Sequence, residues 1–215
     1  GTSAANLLAK EADVVLVVGS RLQDFTTASK QVFASDVILL HLNVSNFDGL
    51  KMDSIMLQAD AKSGLELLSE GLYKAKFQTS AEYRERVTQL QSEWNAEVDR
   101  LYNLKSEEGN VQTSIVGTLN EFMAPEDVVL CAAGSLPGDL HRLWRSEIPK
   151  TYHMEYGYSC MGYEVSGGLG AKMAMEKGEV YVIVGDGSYL MLHSEILTAL
   201  KEHIKINIVL LDNSG

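Results

Sequence analysis

The tetrapeptide Gly185-Asp186-Gly187-Ser188 is followed by Asn213, 27 positions beyond Asp186. Each end of that span closes an apolar, β-branched run, 180–184 in the first case and 206–211 in the second. A helical stretch, 189–203, lies between them. The pattern is strand, helix, strand, with an acid at one strand end and an amide at the next. A right-handed crossover returns the second strand parallel to the first. If the strands are neighbours they lie about 4.8 Å apart, and Asp186 and Asn213 flank one point at the carboxyl ends of the sheet. Asp186 supplies a hard oxygen of the kind Mg²⁺ prefers, at about 2.1 Å and beside phosphate oxygens and water. A backbone carbonyl beyond Asn213, that of Gly215, could add a third protein oxygen. Gly185 and Gly187 carry no Cβ and let a ligand approach the backbone. Ser188 is expected to open the next helix, whose free N–H groups and positive dipole end suit a phosphate. Gly-Asp-Gly alone fits an ordinary strand-to-helix turn equally well. The later Asn, one helix and one strand away, points the pair towards a metal-bound diphosphate.

The elements that must position these groups form two alternating α/β regions around one long polar helix. In the first region, residues 1–12 read as a helix and 13–18 as a strand ending at Gly19-Ser20-Arg21. Helix is expected over 27–33 and 61–75, and strand over 37–44 and 55–58. Continuous apolar strands between helices predict a parallel sheet covered on both faces. Residues 80–107 predict one helix capped by Ser80, with Tyr83, Val87, Leu90, Trp94, Val98, Leu101 and Leu104 in a single apolar stripe. That stripe fits a connecting helix packed along a domain, with a membrane-surface or coiled-coil role as the alternative. The second region reads as helix 112–123, strand 128–133, helix 138–145, short strand 151–155, glycine-rich loop 157–162 and helix 165–175. The fold class is therefore α/β, two parallel-sheet Rossmann-like units joined by a long helix, each incomplete. The expected domain limits are 1–78, 79–108 and 109–215. The chain opens on a helix with no strand before it and stops directly after a strand, which reads as an internal fragment of a longer protein.

Composition narrows the function classes. The chain has 215 residues, 46% hydrophobic and 22% charged, enough for a substantial core. A net charge of −11 with no basic face argues against nucleic-acid binding. Cys131 and Cys160 make neither a disulfide framework nor a zinc site. No apolar run reaches the roughly 18 residues of a membrane span, and no opening stretch reads as a signal peptide. A reduced, cytoplasmic setting is expected.

With its Gly-Asp-Gly and later Asn, the chain resembles the thiamine diphosphate (ThDP)-dependent enzymes of the acetolactate synthase and pyruvate decarboxylase type. Residues 1–75, with Glu11-Ala12-Asp13 and Val18-Gly19-Ser20-Arg21, look like the later half of that family's middle domain. Residues from 108 look like the first half of its diphosphate-binding domain. Four segments, at 26–30, 134–140, 153–164 and 185–195, are similar to the branch of the family that hydrolyses trihydroxycyclohexane-1,2-dione in myo-inositol catabolism. An acetolactate synthase more often reads Gly-Thr-Met-Gly-Phe-Gly-Leu-Pro where this chain has Ser159-Cys160-Met161-Gly162-Tyr163-Glu164-Val165-Ser166.

Carried to matching positions, the resemblance implies that Asp186 and Asn213 hold Mg²⁺. Gly187 and Ser188 would bind diphosphate through the backbone, and Gly134, Ser135 and Leu136 lie where the family's first loop touches it. Met161 sits where a bulky apolar residue props the cofactor in a bent shape. The carbonyl of Ser159 sits where the aminopyrimidine donates a hydrogen bond. The family's activating glutamate belongs to an N-terminal pyrimidine-binding domain that this chain lacks, and the site forms between two subunits of a homodimer or homotetramer. The catalytic residues are thus unassigned here, and the implied substrate is a cyclic diketone.

Other residues carry weaker readings. His193 follows the motif and could meet substrate, whereas His153 reads as structural and His203 as a helix-terminal or exposed group. Glu155 and Glu164 read as solvated carboxylates. Cys131 reads as core, and Cys160, near the cofactor loop, lacks an obvious His partner for nucleophilic work. Gly19 reads as a turn, since Gly-x-Gly-x-x-Gly is missing. Two alternatives stay open, an acetolactate synthase-like lyase or ligase and a non-catalytic dinucleotide-binding or regulatory α/β module.

Overall fold

The computed structural model describes residues 1–107, 109–155 and 157–212. It contains two compact units, 1–96 and 97–215. The first unit begins with α1 (Ser3–Glu11), capped by Thr2, whose hydroxyl accepts from the Ala5 N–H at 3.1 Å. There follow β1 (Val14–Val18), α2 (Asp24–Thr27), β2 (Ile38–Asn43), α3 (Asn46–Gly49), β3 (Ile55–Gln58) and α4 (Ala61–Lys74). The strands form a parallel sheet in the order β1-β2-β3. Gly19, with φ +63, makes the turn after β1 and donates its N–H to the Leu42 carbonyl at 3.0 Å.

Two expectations for this unit need correction. The helix expected over 27–33 lies earlier, at Asp24–Thr27. Ala28, Ser29 and Lys30 all have positive φ, and left-handed residues cannot extend a right-handed helix. One face of the sheet is also only partly covered. By register, Val14, Leu16, Ile38, Leu40, Leu42, Ile55 and Leu57 share that face. Leu42 is buried beside Gly64 of α4, whereas Val14, Leu16, Ile38, Ile55 and Leu57 are exposed among the described residues. Apolar character shows that a position favours cover, not that the cover lies in this stretch of chain.

The long helix α5 (Ala81–Tyr102) carries the division between units. Ser80 caps it, its hydroxyl accepting from the Tyr83 N–H at 3.1 Å. It stops before the expected 107, because Asn103 donates its side-chain amide to the Asp99 carbonyl at 2.8 Å and closes the last turn.

The second unit continues through α6 (Gln112–Phe122), β4 (Val128–Cys131), α7 (Leu136–Leu143), β5 (Tyr152–Met154) and α8 (Tyr163–Ala174). It ends with β6 (Val180–Gly185), α9 (Asp186–Met191), α10 (Glu195–Lys201) and β7 (Asn207–Leu211). The sheet is parallel, in the order β5-β4-β6-β7. Its core is the central pair. Every residue of β4 is buried, and Val180, Val182, Ile183 and Val184 of β6 are 0% exposed. Burying each such side chain contributes about 1.5–3 kcal/mol before entropy is counted. Packing is close because α8 carries Gly168, where an added Cβ would lie 2.2 Å from Val182 Cγ2.

The helix expected over 189–203 is two helices, and the first starts at Asp186 rather than Ser188. Leu192, at φ −152 and ψ 64, leaves helical geometry between them. α7 starts at Leu136, ahead of the expected 138, since Pro137 is tolerated in a first turn. Among the described residues no helix is long and apolar enough to cross a membrane.

Candidate functional site

A cavity of about 190 Å³ opens at the carboxyl ends of β4 and β6. Its wall brings together Gly134, Ser135, Leu136, Met161, Gly185, Asp186, Gly187 and Ser188, all singled out from sequence. Parallel strands deliver these groups to one side of the sheet, where loops leave each strand for the next helix. Gly134 has φ +87, a conformation that favours glycine. Nothing stands within 4 Å of a Cβ built there, so the backbone is open to an approaching group. Met161 faces the motif, its Cε lying 3.6 Å from a Cβ built on Gly187.

Asp186 is half-buried, and its carboxylate forms no ion pair among the described residues. No cluster of three His, Cys, Asp or Glu side chains that could hold a metal occurs among the described residues. An ion at Asp186 would therefore draw its other oxygens from amides, carbonyls, water or phosphate, as Mg²⁺ commonly does. β7 runs beside β6, with Leu211 level with Gly185. Asn213 and Gly215, the other expected metal ligands, lie outside the described residues. Ser159 is not on the cavity wall. It has φ +53, and its hydroxyl donates to the Ala132 carbonyl at 3.4 Å, beside the end of β4.

The structure corrects the reading of Glu164 as a solvated carboxylate. Glu164 is 0% exposed. Its Oε1 accepts from the Ala133 N–H at 3.1 Å, and its Oε2 accepts from the Ser188 hydroxyl at 2.6 Å and the Gly162 N–H at 3.2 Å. The Gly162 N–H also donates to Ser188 Oγ at 2.7 Å. Glu155 is only half-exposed and accepts from the Cys160 N–H at 2.8 Å and the Tyr158 N–H at 3.0 Å. Those backbone donors, Cys160 first, hold its carboxyl below the usual range. Glu155 stays partly exposed, as a solvated carboxylate would, and also ties the glycine-rich loop.

Gln112, Ala133 and Leu211 complete the cavity wall and were not anticipated. Gln112 donates to Asp139 Oδ2 at 2.7 Å and accepts from the Ser135 hydroxyl at 3.2 Å, which orients that hydroxyl. Its position at the start of α6 gave no local signal. Glu164 did leave one, since it lies four positions before Gly168 and both belong to the buried stripe of α8.

The histidines lie off the cavity wall. His153 hydrogen-bonds the Tyr163 hydroxyl at 2.8 Å and stacks on that ring. His193 stacks on Tyr189, and His203 is exposed at the end of α10. Cys131 is buried and its thiol is pushed up to about 12, chiefly by burial and then by the charge of Glu164.

Residues 132–215 match the C-terminal TPP binding domain of thiamine pyrophosphate enzymes, and residues 1–68 match their central domain. Over 240 aligned residues the chain is 45% identical to a 3D-(3,5/4)-trihydroxycyclohexane-1,2-dione hydrolase of Bacillus cereus (strain AH820). It is 44% identical to the protein of that name from Clostridium tetani (strain Massachusetts / E88). In both cases the match covers 100% of this chain and 37% of the relative, so the chain spans little more than a third of their length.

Proposed function

Because the chain belongs to the thiamine pyrophosphate enzymes, we propose that it is part of a ThDP- and Mg²⁺-dependent hydrolase. Its reaction would cleave a C–C bond of trihydroxycyclohexane-1,2-dione to give 5-deoxy-glucuronate in myo-inositol degradation. The observation that carries this reading is the cavity that joins the Gly134–Leu136 loop, Met161 and the Gly185–Ser188 motif. The name of these relatives supports the substrate. When bound, ThDP would supply a nucleophilic carbon for a carbonyl and a cationic thiazolium ring as the sink for the electron pair of the broken C–C bond.

This chain's residues have binding and orienting roles in the proposal. Asp186, with Asn213 and the Gly215 carbonyl, would hold Mg²⁺. The backbone of Gly134, Ser135, Leu136, Gly187 and Ser188 would cradle the diphosphate. Met161 would prop the bent cofactor, and the Ser159 carbonyl would accept from its aminopyrimidine. Residues 1–78 would belong to the middle domain, 79–108 to the connecting helix and 109–215 to the diphosphate-binding domain. The complete enzyme would be a cytoplasmic homodimer or homotetramer, its site completed by a pyrimidine-binding domain of a second subunit.

The test uses a polypeptide extended to the length of the relatives. Calorimetric titration with ThDP and Mg²⁺ should show saturable binding that weakens when Mg²⁺ is withheld. No saturable binding would overturn the cofactor reading and leave the non-catalytic module. Turnover of the cyclic dione, and not of pyruvate, should follow. The reverse preference would favour an acetolactate synthase-like enzyme.

A further inference from the structure

Glu164 is a carboxylate with 0% exposure, and all three of its hydrogen bonds lead to the cavity loops. Ala133, at the end of β4, immediately precedes Gly134-Ser135-Leu136. Gly162 immediately follows Met161 and, at φ +89, turns the chain into α8. Ser188 lies on α9 next to Gly187. One side chain therefore holds three segments that arrive from different strands. The bonds are directional and buried, so losing the one from Ala133 leaves that N–H without its carboxylate partner in the interior, while the Gly162 N–H keeps Ser188 Oγ alone. Glu164 itself sits in the first turn of α8, where the positive end of the helix favours a carboxylate.

We propose that Glu164 is a positioning residue that sets the spacing of the three loops lining the cavity before any ligand arrives. Resting on the ThDP reading above, the proposal adds that diphosphate affinity depends on a residue that does not line the cavity. Both carboxylate oxygens accept backbone N–H groups. Gln at this position keeps the volume but turns one acceptor into an NH₂ facing an N–H. Ser188→Ala removes the hydroxyl bond from the other side.

The experiment compares wild type, E164Q and S188A in the polypeptide of full relative length. Titration with ThDP at fixed Mg²⁺ should show Kd raised at least about tenfold in E164Q and less in S188A, the cost of a buried unpaired donor. Turnover of E164Q at saturating ThDP should stay within about twofold, because the cofactor would reset the loops once bound. Without ThDP, amide exchange at Ala133 and Gly162 should quicken in both variants, while Val129 and Leu130 in β4 keep their protection. A lesion of stability alone would lower the melting temperature and leave the affinity of the folded protein unchanged.

If wild type binds ThDP and E164Q binds equally well, the role of Glu164 fails and the cofactor reading stands. If wild type does not bind, the cofactor reading fails, and the exchange data then judge the positioning role alone. Unchanged exchange at Ala133 and Gly162 overturns it. Should E164Q fail to fold, unchanged affinity and exchange in S188A overturn it.

Discussion

Cys131 and Cys160 show how far a residue's chemistry depends on its place. Both are free thiols, but Cys131 is buried on β4 while Cys160 is exposed in the glycine-rich loop. Burial pushes the Cys131 thiol up to about 12, so at pH 8 it holds almost no reactive thiolate. Iodoacetamide at pH 8 should therefore modify Cys160 and spare Cys131 in the native protein, with both modified in denaturant. Peptide mass spectrometry reads the outcome, and equal native labelling would contradict the buried thiol. Residue type could place Cys131 in the core, since it stands in a β-branched run. It could not show that Glu164 was buried, because an acid is normally solvated and burial here is offset by three donors and the end of α8.

At the scale of elements, the second sheet rests on how closely α8 approaches β6. Gly168 lies against Val182, and a methyl there would meet Val182 Cγ2 at 2.2 Å. Gly168→Ala should therefore destabilise the protein by about 1–3 kcal/mol, despite the better helix propensity of Ala. Urea denaturation measures this, and an unchanged or higher midpoint would show that the sheet can yield. Strand positions were legible because β-branched runs and the turns that end them are local signals. Helix limits were less so. Leu192 breaks a stretch that reads as one helix, and the left-handed residues after Thr27 stop another. Neither Leu192 nor Ala28-Ser29-Lys30 is a customary helix breaker, and it is backbone geometry that ends each helix.

For the whole molecule, the chain matches 37% of the length of its relatives, and on the proposed reading the activating glutamate would come from another segment. The 215-residue chain by itself should give no turnover of the cyclic dione even with ThDP and Mg²⁺. Steady turnover by the purified 215-residue chain would refute that division of the site. The exposed apolar positions Val14, Leu16, Ile38, Ile55 and Leu57, on a face only partly covered, depart from the expected cover on both faces. By itself, the sequence determined the two α/β regions, the helix between them and the motif residues from Gly134 to Ser188. Those follow from residue type and spacing along the chain. Only the tertiary structure decided that β4 and β6 are neighbours, that their loops enclose one cavity, and that buried Glu164 ties those loops together. Such pairings join residues far apart in sequence, and their hydrogen bonds depend on distances that no local pattern records.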